Sequence, residues 1–142
     1  MATLKISDLS VGDWVRYKPE CGNQRIAKIT EIHWNCVIGE YNGVECAMRL
    51  SNIEPIPITA EILEKNGWAF HKSNQWWTCQ IDEDTRVNVW LGGNGECRVE
   101  VSVLYGESRT WSNYADVKLA NAHIHLLQRA LRLAGVDKEI NL

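Results

Sequence analysis

Hydrophobic and polar positions change period three times along this chain, and those changes predict its elements. From Val11 a glycine turn leads into Trp14-Val-Arg-Tyr17, where Trp14 and Arg16 share one side and Val15 and Tyr17 the other. Ile26, Ile29 and Ile32 mark a second β-rich run, and Cys36-Val-Ile38 the centre of a third. Asn42-Gly43, between Tyr41 and Val44, is a two-residue hairpin signal, because both turn positions need positive φ. Val44 to Arg49 supplies a fourth strand and Ile53 to Ile56 a short fifth. So few short strands cannot make a sandwich, and they predict a small curled barrel.

The stretch from Asn52 to Trp68 is the joint of the chain. Pro55 and Pro57 lack donors and fix φ, so they force an extended crossing at or beyond a sheet edge. Thr59 offers an N-cap hydroxyl, Ile62 and Leu63 give a short helix its apolar face, and Asn66-Gly67 supplies a left-handed stop. We therefore expect two subdomains, 1–58 and 59–142.

Beyond the joint the period returns to two. Trp77, Cys79 and Ile81 share one face, as do Val87, Val89 and Leu91, and then Cys97, Val99, Val101 and Val103. This predicts a three-stranded antiparallel meander with one buried side. A three-residue loop, Glu83-Asp-Thr85, would oppose Thr78 to Trp90. Residues 92–96 would make the next turn, placing Trp90 opposite Arg98 and Asn88 opposite Glu100. Residues 105–108 offer another turn, with Arg109 to Ser112 returning as a short strand.

The last element is helical. Ile124, Leu127, Leu131 and Ala134 repeat at spacings of three and four, and Gly135 is the natural stop. Asn121 is the expected N-cap, with Val117 to Leu119 extended before it. A start near Asp116 is the rival, because Val117 and Ala120 continue the same stripe. Such a helix belongs against the buried side of the meander, and the whole reads as α+β.

At 142 residues the chain is long enough for a real core, and 45% apolar with 23% charged residues is ordinary for a globular protein. The first residues lack the basic-then-apolar pattern of a signal peptide, and no run approaches the roughly 18 apolar residues of a membrane span. The expected setting is the cytoplasm, without membrane contact. Five cysteines, without a C-x-x-C pair, argue against a disulfide framework or a zinc knuckle and for packed thiols. A net charge of −3 lacks the global field of a generic nucleic-acid binder.

The joint Ile53-Glu-Pro-Ile-Pro-Ile-Thr-Ala-Glu-Ile-Leu-Glu-Lys-Asn-Gly-Trp68 and the segment Ile124-His-Leu-Leu-Gln128, ending at Gly135, resemble small uncharacterised bacterial proteins encoded in prophages and mobile elements. The similarity runs in order from about residue 4 to 136. Trp68 stands where phenylalanine is usual there, and Arg129-Ala130 replaces Asn-Leu. The start, Leu9-Ser-Val-Gly-Asp-Trp-Val15, resembles the entry of SH3-like barrels. These resemblances imply an architecture, and they contribute no catalytic residue.

The seven tryptophans carry the best contact hypothesis. Alternation turns Trp77 inward and Trp76 and Trp90 outward, diagonal to each other and beside Arg86 and Arg98. Aromatic rings with arginine suit base stacking, a peptide groove or an oligomer interface, with phage–host recognition or self-association as the settings for a protein partner. The blander reading has the barrel covering this face. Asp82, Glu83, Asp84, Glu96 and Glu100 surround the patch, which ranks a protein partner above nucleic acid. The second hypothesis is nucleic-acid binding through the barrel by Arg16, Lys18, Arg25 and Lys28. The third is a thiol-dependent enzyme, for which His33, His71 and the cysteines are available but nothing local pairs them.

Other constellations carry no chemistry. His123-x-His125 on a helix would point about 200° apart, unfit to hold one ion together. Asp82-Glu-Asp84 lacks the spaced oxygens of a calcium loop, and Gly92-Gly-Asn-Gly95 has no following Lys-Ser/Thr. No catalytic residue, metal or cofactor is expected.

Overall fold

The fold is described from a computed structural model covering residues 4–93, 95–105, 107, 109–119 and 121–142, apart from the side chain of Tyr114. The chain separates into two compact units, 1–57 and 58–142. The architecture is α+β: two five-stranded antiparallel sheets and two α-helices.

The first unit contains strands β1 (Trp14–Tyr17), β2 (Arg25–Ile32), β3 (Val37–Tyr41), β4 (Val44–Met48) and β5 (Ile53–Glu54) in the order β4-β3-β2-β1-β5. Among the described residues no pairing joins β4 to β5, so this sheet is open, where a curled barrel was expected. β5 is only two residues long because Pro55 cannot continue the ladder.

The spacing of three between Ile29 and Ile32 is incompatible with a regular strand, and a bulge resolves it. Ile29 opposes Gly39 while Glu31 opposes Ile38, leaving Thr30 as the extra residue. Both isoleucines thereby reach the core formed by Leu4, Leu9, Val15, Ala27, Ile29, Val37, Met48 and Ile53. Gly39 is required there: a Cβ would run into the Met48 thioether and stand 3.2 Å from Ala27 Cβ. The Asn42-Gly43 turn takes the expected positive φ at both residues, 49° and 79°.

In the second unit, α1 (Ala60–Lys65) begins as its sequence predicts. Thr59 Oγ1 accepts the Ile62 amide at 3.3 Å. It ends with Gly67 N–H bonded to Glu64 O and Trp68 N–H to Leu63 O, a Schellman arrangement that buries Trp68.

The second sheet comprises β6 (Ala69–His71), β7 (Trp76–Gln80), β8 (Thr85–Leu91), β9 (Cys97–Tyr105) and β10 (Thr110–Leu119), in sequential order. Its inward row of Cys79, Val87, Val89, Cys97, Val99 and Val101 is buried. So is the stripe of Ile124, Leu127 and Leu131 on α2 (Ile124–Leu133), which approaches the sheet at β10.

Four expectations are corrected in this unit. The meander gains β6 at one edge. At the other, β10 runs unbroken through 116–119, which removes the rival helix start at Asp116. The helix N-cap is His123, two residues beyond Asn121. Finally, the β7–β8 register differs by two residues from that expected: Thr78 opposes Asn88, and Trp76 opposes Trp90. The cause is the loop, which Ile81 N–H closes onto Thr85 O and Asp84 N–H onto Asp82 Oδ1, centring the turn one residue earlier. A shift of two leaves every side chain on its expected face. The turns expected at 92–96 and 105–108 include residues 94, 106 and 108, which lie outside the described residues, as does Ala120.

Candidate functional site

The outward side of the second sheet is built in rows that its registers dictate. One row reads His71, Trp76, Trp90, Arg98, Lys118, and the next Ala69, Thr78, Asn88, Glu100, Asp116. The third reads Gln80, Arg86, Ser102, Asn113. A bulge at Tyr114 sets Asn113 and Asp116, three apart, on the same side.

Trp76 is held at the rim by its turn. Gln75 takes a left-handed φ of 62°, its N–H bonds His71 O at 2.8 Å, and Asn74 Oδ1 accepts the Trp76 amide at 3.1 Å. A non-glycine residue in that conformation is uncommon and is held here by the hydrogen bonds around it.

Two adjoining clefts share Trp76. The first, of about 480 Å³, runs over Thr78, Arg86, Asn88, Ser102, Trp111 and Asn113. The second, of about 500 Å³, lies against Trp90, Arg98, Asp116 and Lys118. Every lining residue of both belongs to the second unit.

The structure therefore brings Trp76 and Trp90 together as direct cross-strand partners, not diagonal ones. Arg98 lies in their own row, opposite Trp90, and Arg86 lies two rows away, and the two arginines are in different electrostatic states. Arg98 is engaged: Nε donates to Asp116 Oδ1 at 3.0 Å, Nη2 donates to Asp116 Oδ2, and Glu100 lies 3.8 Å away. Its hydrogen bond holds the Asp116 carboxyl below the usual carboxylate range and raises its own pKa. Arg86 makes no ion pair among the described residues. Its guanidinium lies over the Trp111 ring, 4.2 Å from the centroid, and its buried Nε has no hydrogen-bond partner.

Trp111 and Asn113 line the first cleft, and pattern reading gives neither of them a side of the sheet. Their signal is the alternation of Trp111 with Ser112 and Asn113, which becomes readable only once β10 is known to be a full strand.

The four basic residues of the nucleic-acid hypothesis, all in the first unit, do not share one side of its sheet. Arg16 and Lys28 share the outward side of β1–β2, where Arg16 opposes Glu54 and Lys28 opposes both Trp14 and Glu40. Arg25 pairs with Tyr17 on the opposite side and stacks over Tyr41 at 4.8 Å. Lys18 is tied to Glu54 at 3.1 Å.

Burial pushes the Cys97 thiol up to about 12, so it stays protonated at neutral pH. Among the described residues no group of three His, Cys, Asp or Glu side chains is placed to hold a metal. His123 and His125 do meet, with ring centroids 5.8 Å apart. His123 precedes the helix with extended φ and ψ, so the 200° argument does not govern that pair. No helix among the described residues is long and apolar enough to cross a membrane. Comparison with protein-family models, curated proteins and solved structures gives no match.

Proposed function

We propose that this chain is a non-catalytic binding module that recognises a protein partner through the outward side of its second sheet. The observation that supports this best is the pair of adjoining clefts joined by Trp76, with aromatic walls and arginines at their edges. Tryptophan and arginine at the centre of a partly desolvated surface are the residue types that dominate protein contacts. Trp76, Trp90 and Arg86 make the contact, and Arg98, committed to Asp116, orients the rim.

Charge separates this reading from nucleic-acid binding. Glu96, Glu100 and Asp116 line the clefts and Asp82, Glu83 and Asp84 lie in the adjacent β7–β8 loop, so a polyanion would meet repulsion there. The route through the first unit is weakened because three of its four residues are engaged, Lys18 with Glu54, Arg25 over Tyr41 and Lys28 over Trp14, while Arg16 carries no ion pair among the described residues. In the first sheet β1 lies between β2 and β5, an order that fits an SH3-like subdomain. This reading takes the cytoplasm as the setting, and a partner in phage–host interaction or a second copy of the chain as the occupant.

The test is tryptophan fluorescence during titration with single-stranded DNA, duplex DNA and RNA, at low and then higher salt. The proposal predicts no salt-sensitive quenching with any of them. Quenching whose affinity falls steeply with salt would overturn it in favour of nucleic acid, with the slope counting the phosphates engaged.

A further inference from the structure

We infer that the cleft beneath Trp111 is a subsite for a single carboxylate carried by a peptide, with Arg86 as its recognition residue. This rests on the reading of that face as the contact surface, and supplies the chemistry of what it contacts.

The first observation is an imbalance of charge. Arg49, Arg98, Arg109, Lys18 and Lys118 each lie within 4 Å of a carboxylate. Arg86, which lines the cleft, does not, although it is less exposed than they are, and its buried Nε has no acceptor, a state it shares with Arg16 of the first unit. The buried Nε has lost hydration that no acceptor among the described residues replaces. The guanidinium lies over Trp111, 4.2 Å from the ring centroid, and its planar fork of donors is the group that suits bidentate recognition of a carboxylate.

The second observation is the polarity of the floor. Thr78 Oγ1 donates to Asn88 Oδ1 at 2.8 Å, and Ser102 Oγ donates to Asn113 Oδ1 at 3.0 Å. Both hydroxyls thus spend themselves on amide oxygens, which turns the two asparagines into donors. Neither amide Nδ2 has an acceptor among the described residues. Around Arg86 the cleft consequently offers N–H groups.

The third observation limits the charge. Glu100 also lines the cleft, with its nearest cation, Arg98, 3.8 Å away. A dianion such as a phosphate monoester would be repelled by Glu100, whereas a monoanion is balanced by Arg86. A volume of about 480 Å³ accommodates a side chain or chain end, and Trp76 leads into the neighbouring cleft, where an adjacent apolar residue can rest on Trp90.

The experiment follows the Arg86 Nε–H resonance and tryptophan fluorescence in the wild-type chain with four probes. N-acetylphenylalanine places a carboxylate at a chain end, and N-acetyl-aspartyl-phenylalaninamide places it on a side chain. N-acetylphenylalaninamide is neutral, and phenyl phosphate is a dianion. The inference predicts that one of the two carboxylates moves the Arg86 signal and binds at least about tenfold more tightly than the neutral amide and the phosphate. The tighter of the two identifies the source of the carboxylate. Arg86→Gln, still folded and melting within about 5 °C of wild type, should erase that preference.

Equal binding of the amide, tighter binding of phenyl phosphate, no response to either carboxylate, or a preference surviving in Arg86→Gln would each overturn the subsite. If that happens while partner capture still depends on Trp90, the contact face stands and only the carboxylate chemistry fails.

Discussion

The guanidinium of Arg86 on β8 lies 4.2 Å from the ring centroid of Trp111 on β10, reaching across the intervening strand over Ser102. Ser102 faces outward yet is only 2% exposed. Arg86 opposes Ser102 in the register, and Trp111 lies one strand further on.

That contact has a measurable energy. Arg86→Gln and Trp111→Leu, combined in a double-mutant cycle by chemical denaturation, should show a coupling of about 0.5–1 kcal/mol, the scale of a partly exposed cation–π pair. Strictly additive single effects would mean that the pair is adjacent without interacting.

The five thiols should divide sharply in a labelling experiment on the folded chain. Cys21 is exposed and reacts first, whereas Cys79 and Cys97 are buried, and the Cys97 pKa of about 12 keeps it protonated. Rapid modification of Cys97 would revive a thiol-dependent enzyme and contradict the non-catalytic reading.

The last residues are stitched down by side-chain amides that stand in for a strand. Gln128 Nε2 donates to Lys138 O at 3.0 Å, and its Oε1 accepts the Ile140 amide at 2.8 Å. Asn66 exchanges the same pair of bonds with Asn141, both at 2.8 Å. Replacing Gln128 with Leu keeps the volume but leaves a carbonyl and a buried N–H unpaired, at a cost of roughly 2–4 kcal/mol. A loss below about 0.5 kcal/mol in a denaturant melt would show that water replaces both bonds.

Acid should weaken the fold through His123. Burial lowers its pKa below the ordinary 6.5, so the unfolded chain binds the proton more tightly than the folded one. Its contribution is fully present above pH 6.5 and is lost as pH falls through that value towards the lower folded-state pKa. His123→Gln should flatten that part of the stability profile. An unchanged slope between wild type and variant would assign the effect elsewhere.

How far the sequence reveals this structure depends on the punctuation at each place. Thr59, Asn66-Gly67 and Asn42-Gly43 announce their caps and turn because each residue type satisfies a specific backbone demand. The period-two rows from Trp77 to Val103 announce a single buried side for the same kind of reason. β6 stays hidden because the turn into β7 takes its left-handed residue from Gln75, with no glycine or proline to mark it. β10 stays hidden because Ser112, Asn113, Asp116 and Lys118 give an edge strand little apolar signal, and the bulge at Tyr114 breaks its period. Trp76, Trp90, Arg86 and Arg98 could be placed on one side from alternation alone. That Arg98 is neutralised and Arg86 is not depends on β10, which brings Asp116 to one and Trp111 to the other.

The most direct measurement is capture of a partner from host lysate by three forms of the chain: wild type, Trp90→Ala and Trp34→Ala. Trp34 is 89% exposed at the β2–β3 turn and serves as the control for unspecific aromatic adhesion. Trp90→Ala is expected to melt within about 1 kcal/mol of wild type, as a half-buried surface residue should. The account predicts that Trp90→Ala loses a captured species that Trp34→Ala retains. Retention by Trp90→Ala, with loss in Trp34→Ala, would move the contact surface to the first unit and contradict the account.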